Sequence, residues 1–272
     1  MPAPDIDRAF AGSIPRTYET YLVPMIFEPY AVDIAGRLRT IPAQRVLEIA
    51  AGTGVVTRLL ASTLAPDVSI VASDLNPGML DHASSIGTER PVLWRQADAM
   101  ALPFEDASFD VVVCQFGVMF FPDRARGYAE VRRVLAPGGA FVFNAWDRLD
   151  DNEFAACVTE AAATVFPDDP PRFLARLPHG YCDTKRIRDD LKSGGFGKPA
   201  DIVAVEARSR ADSARVPALG FCHGTPLRSE IEARDPSRLG DVVDAATETV
   251  ARRFGNDAVD GRMLANVITI RT

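Results

Sequence analysis

The turn Gly52-Thr53-Gly54 directly follows the apolar run Val46-Leu47-Glu48-Ile49 and directly precedes Val55-Val56-Thr57-Arg58-Leu59-Leu60-Ala61. Two residues without a Cβ allow unusual backbone angles and let a ligand lie against bare backbone. Glu48 places a carboxylate just before the turn, where it would repel an anion and favour a cation or an amine. Asp74 follows Gly54 by 20 residues, the separation at which an acidic side chain meets ribose hydroxyls in nucleotide-binding βαβ units. Helix capping is the local alternative for Asp74, and for Asn76 beside it. His179 and His223 are candidate bases should a proton have to be removed. His82 is a weaker one, and an ordinary packing or surface role is the favoured reading for each. Cys114, Cys157, Cys182 and Cys222 are widely scattered. They match no metal-ligand spacing, so no metal is expected and reduced thiols are.

What the turn lacks narrows its ligand. A dinucleotide-binding turn carries a third small residue three positions after the second glycine, and here that position is Thr57. No Gly-Lys-Ser/Thr follows at the spacing of a phosphate loop, and Thr57 in place of the third small residue speaks against a nicotinamide oxidoreductase.

These residues need a scaffold of alternating strands and helices. Short apolar runs predict strands at Val46–Ile49, Ser69–Ser73, Val92–Arg95, Phe109–Cys114 and Ala140–Ala145. Helical spacing separates them, with Asn76-Pro77 starting one helix and Ala136-Pro137-Gly138-Gly139 stopping another near Leu135. Strict alternation implies an α/β fold with a doubly wound parallel sheet, whose ligands bind beyond the carboxyl ends of the strands. Two strands, near 201–207 and Met263–Ile270, complete the chain between helical segments at 147–178 and roughly 215–254. The expected organisation is an N-terminal helical cap over 1–40, a cofactor-binding core over 41–146 and a helical lid insertion over 147–183. Residues 184–272 complete the sheet, with a second insertion at about 211–260. The two insertions are expected to form one lid over the functional edge. In the cap, prolines break the pattern into short helices at 17–23 and 28–38.

The chain has 272 residues, 47% hydrophobic and 25% charged, with a net charge of −7. It is long enough for a full core. The negative balance and thinly spread arginines argue against nucleic acid as a partner. No apolar run approaches the length of a membrane span, and the first residues lack the basic and apolar regions of a secretory signal. A cytoplasmic location without a membrane partner is expected, with the oligomeric state open.

Val46–Gly54, Asp74, Gln96–Ala99, Leu102-Pro103-Phe104, Phe109-Asp110-Val111-Val112 and Leu135–Gly139, in this order, resemble the class I S-adenosylmethionine-dependent methyltransferases. Within them, the small-molecule branch that includes ubiquinone/menaquinone-biosynthesis-like enzymes is most similar. The resemblance covers about 45–145 well and the remainder in outline. It implies a seven-stranded, mostly parallel sheet of order 3-2-1-4-5-7-6 with helical lid insertions, S-adenosyl-L-methionine as cofactor, and a small-molecule acceptor. By resemblance, Glu48 begins the glycine motif, while Ala50, Gly52 and Gly54 face the methionine part of the cofactor. Asp74 accepts from the ribose hydroxyls, with Leu75 and Met79 beside the adenine. Asp98 takes the adenine amino group, Ala99 offers its backbone N–H, and Gln115 lines the methionine and sulfonium region. The branch also closes an N-terminal segment over the cofactor, with a tyrosine against the sulfonium. Tyr21 is the residue expected there, sharing a helical face with Tyr18 on a segment bracketed by Pro15 and Pro24. Removal of residues 1–24 is accordingly expected to leave a folded protein that binds cofactor more weakly and loses turnover.

The chemistry is consistent with this cofactor. It has no phosphates, so the third glycine is unnecessary, and its sulfonium is better placed near carboxylates and aromatic faces than near lysines. Cys114-Gln115-Phe116-Gly117 stands where an Asn/Asp-Pro-Pro-Tyr/Phe motif would mark methylation of planar amino groups. No Lys-Asp-Lys-Glu set for ribose methylation is present either. No catalytic side chain is assigned. A non-catalytic cofactor-binding sensor on the same fold and, less well supported, a nicotinamide-dependent oxidoreductase are the competing readings.

Overall fold

The computed structural model describes Gly12 and residues 14–272. The expected cap therefore lies partly outside the described residues, as does the N-terminal stretch read for a signal.

Seven strands form one sheet: β1 (Arg45–Ile49), β2 (Ser69–Asp74), β3 (Leu93–Gln96), β4 (Phe109–Gln115), β5 (Leu135–Trp146), β6 (Asp201–Ala211) and β7 (Val259–Arg271). Their order is β3-β2-β1-β4-β5-β7-β6. β7 runs antiparallel to both its neighbours, as the resemblance implied. The continuous apolar runs of β1 and β4 reflect burial on both faces. Successive side chains alternate between two cores. Val46, Val111, Val113 and Val142 face the helices α2 (Glu28–Leu38) and α3 (Val55–Thr63). Leu47, Val112, Phe141 and Phe143 face α5 (Arg124–Val134) and the later helices.

Several elements differ in extent from the sequence expectation. β5 begins at Leu135, not Ala140. Leu135 pairs with Phe109, and an irregularity in register absorbs the Pro-Gly-Gly stretch that by itself reads as a turn. β3 is shifted by one residue, and β6 runs on to Ala211 because β7 pairs with it along its whole length.

The N-terminal helices are not separated at their prolines. α1 (Ile14–Thr17), a π-helix (Tyr18–Phe27) and α2 follow without interruption. Pro24 sits inside the π-helix, and the Glu28 N–H bonds to Val23 O, five residues back. In an α-helix the proline ring would strike the carbonyl four residues earlier; the wider turn relieves that clash. Pro29 falls in the first turn of α2, where its missing N–H costs nothing. Leu22 and Met25 are fully buried in the main core. Removal of residues 1–24 would take Leu22 and Val23 out of that core, which bears against the expectation that the remainder stays folded.

After β5, the chain forms α6 (Glu153–Val165), α7 (Phe173–Arg176) and α8 (Thr184–Ser193). After β6 it forms α9 (Arg215–Gly224), α10 (Leu227–Arg234) and α11 (Leu239–Phe254). α6, α9 and α11 pack on one another, and α9 packs on the π-helix. Gly220 and Gly224 permit that approach: a Cβ at either would lie 3.0–3.1 Å from Leu22. The four cysteines are free. Among the described residues no helix is long and apolar enough to cross a membrane, and no cluster could hold a metal ion.

Candidate active site

The carboxyl ends of β1, β2 and β4 open into a cavity of about 1360 Å³, counting the space open to solvent.

The glycine turn forms its floor. Ala50 and Gly52 both adopt left-handed backbone, at φ of 54° and 57°. That conformation is natural for glycine and costs alanine roughly 1–2 kcal/mol. The strain at Ala50 is held by neighbours. Ala51 N–H bonds Ser73 O at 2.9 Å, and Gly117 crosses so close that a Cβ there would lie 2.5 Å from the Ala50 Cβ. Gly52 leaves its inner face open; even an added Cβ would meet only Tyr18, at 3.8 Å.

Asp74, at the end of β2, is buried beside this floor. Its Oδ2 accepts from Gly52 N–H at 2.9 Å and its Oδ1 from Asn76 N–H at 2.8 Å. Burial raises its pKa against those donors. A carboxylate offers about four acceptor positions, so Oδ2 keeps capacity for a ligand hydroxyl. Asp74 thus ties the turn together and also lines the cavity. Asn76 is the N-cap of α4 (Pro77–Ile86) but makes no side-chain capping bond.

Ala50, Gly52, Asp74, Leu75, Met79, Asp98, Ala99 and Gln115 all line the cavity. Asp98 is exposed at its mouth, and its Oδ1 accepts from Met100 N–H. Gln115 donates to Phe27 O at 3.3 Å, while its Oε1 is buried without a partner. That orphaned acceptor suits an ammonium or other donor of a bound ligand.

Three expected residues stand elsewhere. Gly54 does not face the cavity. It is the left-handed N-cap of α3, and a Cβ there would lie 3.0 Å from Trp94 and 3.2 Å from Ala83. Its smallness serves packing. Glu48 is buried under the turn, where it accepts from the Thr57 hydroxyl. Burial pushes its carboxyl up to about 8, which Thr57 only partly opposes. Thr57, which the sequence reading treated as a missing small residue, is thus the partner of this carboxyl.

Tyr21 is also not at the cavity; its Cβ packs toward Gly220 of α9. The lining residues from this segment are Tyr18, Leu22, Ile26 and Phe27. The π-helical turn is wider than an α-turn, so the residue four positions after Tyr18 shares its face and the residue three after does not. Tyr18 stacks on Phe27 with ring centroids 4.7 Å apart. Its phenol is held neutral, first by burial and then by Asp74, Glu19 and Glu48. Arg58 bridges Glu19 at 2.7 Å and Thr53 O at 2.6 Å, fastening this helix to the glycine turn. Loss of the Tyr18 ring, worth about 0.5–1.5 kcal/mol beyond its buried area, is expected to weaken binding of S-adenosylhomocysteine roughly tenfold in Tyr18→Ala. Tyr21→Ala should leave that affinity as it is. Calorimetry on both variants checks this, and a larger loss in Tyr21→Ala would reverse the assignment.

Beyond Gln115 the cavity becomes aromatic. Phe116 and Trp146 stack at 3.7 Å, and Phe120, Phe154 and Phe173 continue the wall. Phe116 holds a left-handed backbone (φ 49°) because its N–H bonds to the Asn144 side chain at 2.8 Å. Arg262 is the cationic side chain in the lining, and it is paired with Asp151. Ser209 of β6 is buried, lines the cavity and has no partner for its hydroxyl. Nothing local in the sequence marks Ser209 or Trp146, because their position depends on the β6–β7–β5 pairing.

Of the histidines, only His179 lines the cavity. It is buried, its Nδ1 lies 2.8 Å from Asp147 O, and burial lowers its pKa to about 4. His223, in the last turn of α9, and His82, on α4, do not reach the cavity.

The sequence model of a methyltransferase domain family matches residues 47–143. The demethylmenaquinone methyltransferase of Deinococcus radiodurans is 46% identical over 101 residues, 36% of this chain and 42% of that protein. The ubiquinone/menaquinone biosynthesis C-methyltransferase UbiE of Ectopseudomonas mendocina is 36% identical over 184 residues, covering 63% of this chain and 71% of the relative. Phosphoethanolamine N-methyltransferase 2 of Haemonchus contortus, solved with S-adenosyl-L-methionine, superposes with a TM-score of 0.59 at 18% identity over 98% of this chain and 59% of that one. That last likeness is one of fold.

Proposed function

Since the chain belongs to the class I S-adenosylmethionine-dependent methyltransferases and resembles UbiE, we infer that it methylates a small, uncharged, largely apolar acceptor bearing a ring. Methyl transfer with S-adenosyl-L-methionine as cofactor is the activity of this family. The observation that carries the acceptor reading is the aromatic chamber beyond Gln115, walled by Phe120, Phe154, Phe173 and Trp146. Its cationic side chain is already neutralised by Asp151. A charged acceptor would lose hydration there without a partner, whereas a ring gains stacking and apolar burial. The relatives whose names specify menaquinone or ubiquinone biosynthesis support the same class.

The residues at the floor fit the cofactor. Asp74 would accept from the ribose hydroxyls, Leu75 and Met79 would flank the adenine, and Asp98 would take its amino group. The orphaned Gln115 Oε1 would take the methionine ammonium. When bound, the cofactor supplies an electrophilic methyl group on a cationic sulfur. The protein's part is to hold the acceptor in line, which can contribute several kcal/mol of the roughly 7–11 that positioning offers. Tyr18 and the helical layer exclude water and so strengthen the electrostatics within. Neither nucleic acid nor membrane is proposed as a partner.

Calorimetry should find one S-adenosylhomocysteine site per chain and no comparable heat with NAD. Tight NAD binding without a response to S-adenosylhomocysteine would sink the reading. A panel of ring-bearing acceptors, scored for methylated product by mass spectrometry, tests the acceptor class.

A further inference from the structure

His179 stands at the wall of the aromatic chamber with its ring centroid 6.0 Å from that of Trp146. Its tautomer follows from its partner. A backbone carbonyl can only accept, so the Nδ1 that lies 2.8 Å from Asp147 O carries the proton. Nε2 then bears a lone pair, and no described residue donates to it. The orienting carbonyl is itself fixed. Asp147 N–H bonds Leu264 O at 3.0 Å, and Asn266 donates to the Asp147 carboxylate at 3.1 Å. A ring nitrogen with an open lone pair, on a buried side chain held rigid at the cavity wall, can accept from a donor on the ligand.

We propose that the acceptor carries a phenolic or enolic hydroxyl and that His179 Nε2 takes its proton during methyl transfer. This rests on the methyltransferase reading above and assigns a catalytic residue and an acceptor chemistry within it. In the step, the O–H bond breaks and its proton passes to Nε2. The electron pair forms the new bond to the methyl carbon, and the carbon–sulfur bond breaks with its pair left on sulfur. One positive charge is in the cavity before the step, on sulfur, and one after it, on the imidazolium. Conservation of charge matters in a chamber walled by aromatic rings, where creating a second charge would be costly. It also explains how an imidazole that burial keeps neutral can accept a proton, because the proton arrives as the neighbouring charge disappears.

The probe is 2-naphthol, compared with naphthalene, each titrated into protein loaded with S-adenosylhomocysteine. Wild type should prefer the naphthol about tenfold, the worth of one buried hydrogen bond. In His179→Leu the preference should vanish. In His179→Gln, where an amide oxygen can accept, it should partly return. A role in packing alone would move both ligands together. Should the leucine variant fail to fold, nitrogen-15 histidine spectra of the wild type decide the matter, since the chain has three histidines. The His179 Nε2 resonance should move with naphthol and stay still with naphthalene. Equal binding of the two probes, an unchanged preference in folded His179→Leu or an unmoved Nε2 resonance would overturn the proposal while leaving the apolar acceptor class intact. Failure of both probes to bind loaded protein would overturn that class together with it. Loss of S-adenosylhomocysteine binding would instead strike the family reading.

Discussion

Asp74→Ala is expected to weaken the affinity for S-adenosylhomocysteine about 10- to 150-fold. A hydrogen bond to a charged acceptor contributes about 1.5–3 kcal/mol, and each 1.4 kcal/mol is a factor of ten. The structure raises the stakes at this residue. Asp74 also accepts from Gly52 N–H and Asn76 N–H, so its removal leaves two donors unmet beside the cofactor floor. The two contributions separate with a second ligand. The analogue lacking both ribose hydroxyls should bind wild type more weakly than S-adenosylhomocysteine, and the variant should distinguish the two ligands far less. Calorimetry on both proteins with both ligands gives the coupling. An unchanged discrimination in the variant would leave Asp74 with the turn alone and take the ribose from it.

Glu48→Gln is expected to stabilise the protein at alkaline pH and to do little at pH 4. Burial raises the Glu48 carboxyl from 4.5 to about 8. Between those values the folded state holds a proton that the unfolded state has released, so stability falls as pH rises. The stability is fully present below 4.5 and is lost through pH 8, by about 1.4 kcal/mol per unit and roughly 5 kcal/mol in all. Glutamine has the shape of the protonated acid and can still accept from Thr57, so it should escape that loss. Denaturant midpoints of both proteins from pH 4 to 9 provide the check. The difference between them should grow across that window and level off above it; a difference that stays flat would show that Glu48 does not titrate there. His179 adds an opposite slope common to both proteins. Its folded pKa of about 4 lies below the ordinary 6.5, so its contribution is complete above 6.5 and is lost as pH falls toward 4.

Both residues were visible in the sequence, although only one of them at the place expected. Asp74 could be found because strand, turn and helix follow each other locally, and a fixed number of residues spans one βα unit. Glu48 was found for the same reason. Its role was not, because that depends on Thr57 reaching back under the turn to the carboxyl. Gly54 shows the same division. Its left-handed backbone is a local need, but the reason no side chain fits is Trp94, which β3 brings in from forty residues away.

The sequence by itself determined the strands, their alternation with helices and the position of the glycine turn. Burial on both faces demands unbroken apolar runs, and positive φ favours glycine, so these features are written residue by residue. Tertiary structure decided which side chains meet above the turn. Tyr18 faces the cavity in place of Tyr21 because a π-helical turn around Pro24, packed on Gly220 and Gly224, resets the helical face. His179 and Ser209 join the chamber because β7 lies between β5 and β6. That pairing fixes Asp147 beneath the histidine and carries Ser209 to the same wall. Such meetings depend on packing between segments far apart in the chain, and a local pattern of residue types holds no record of them.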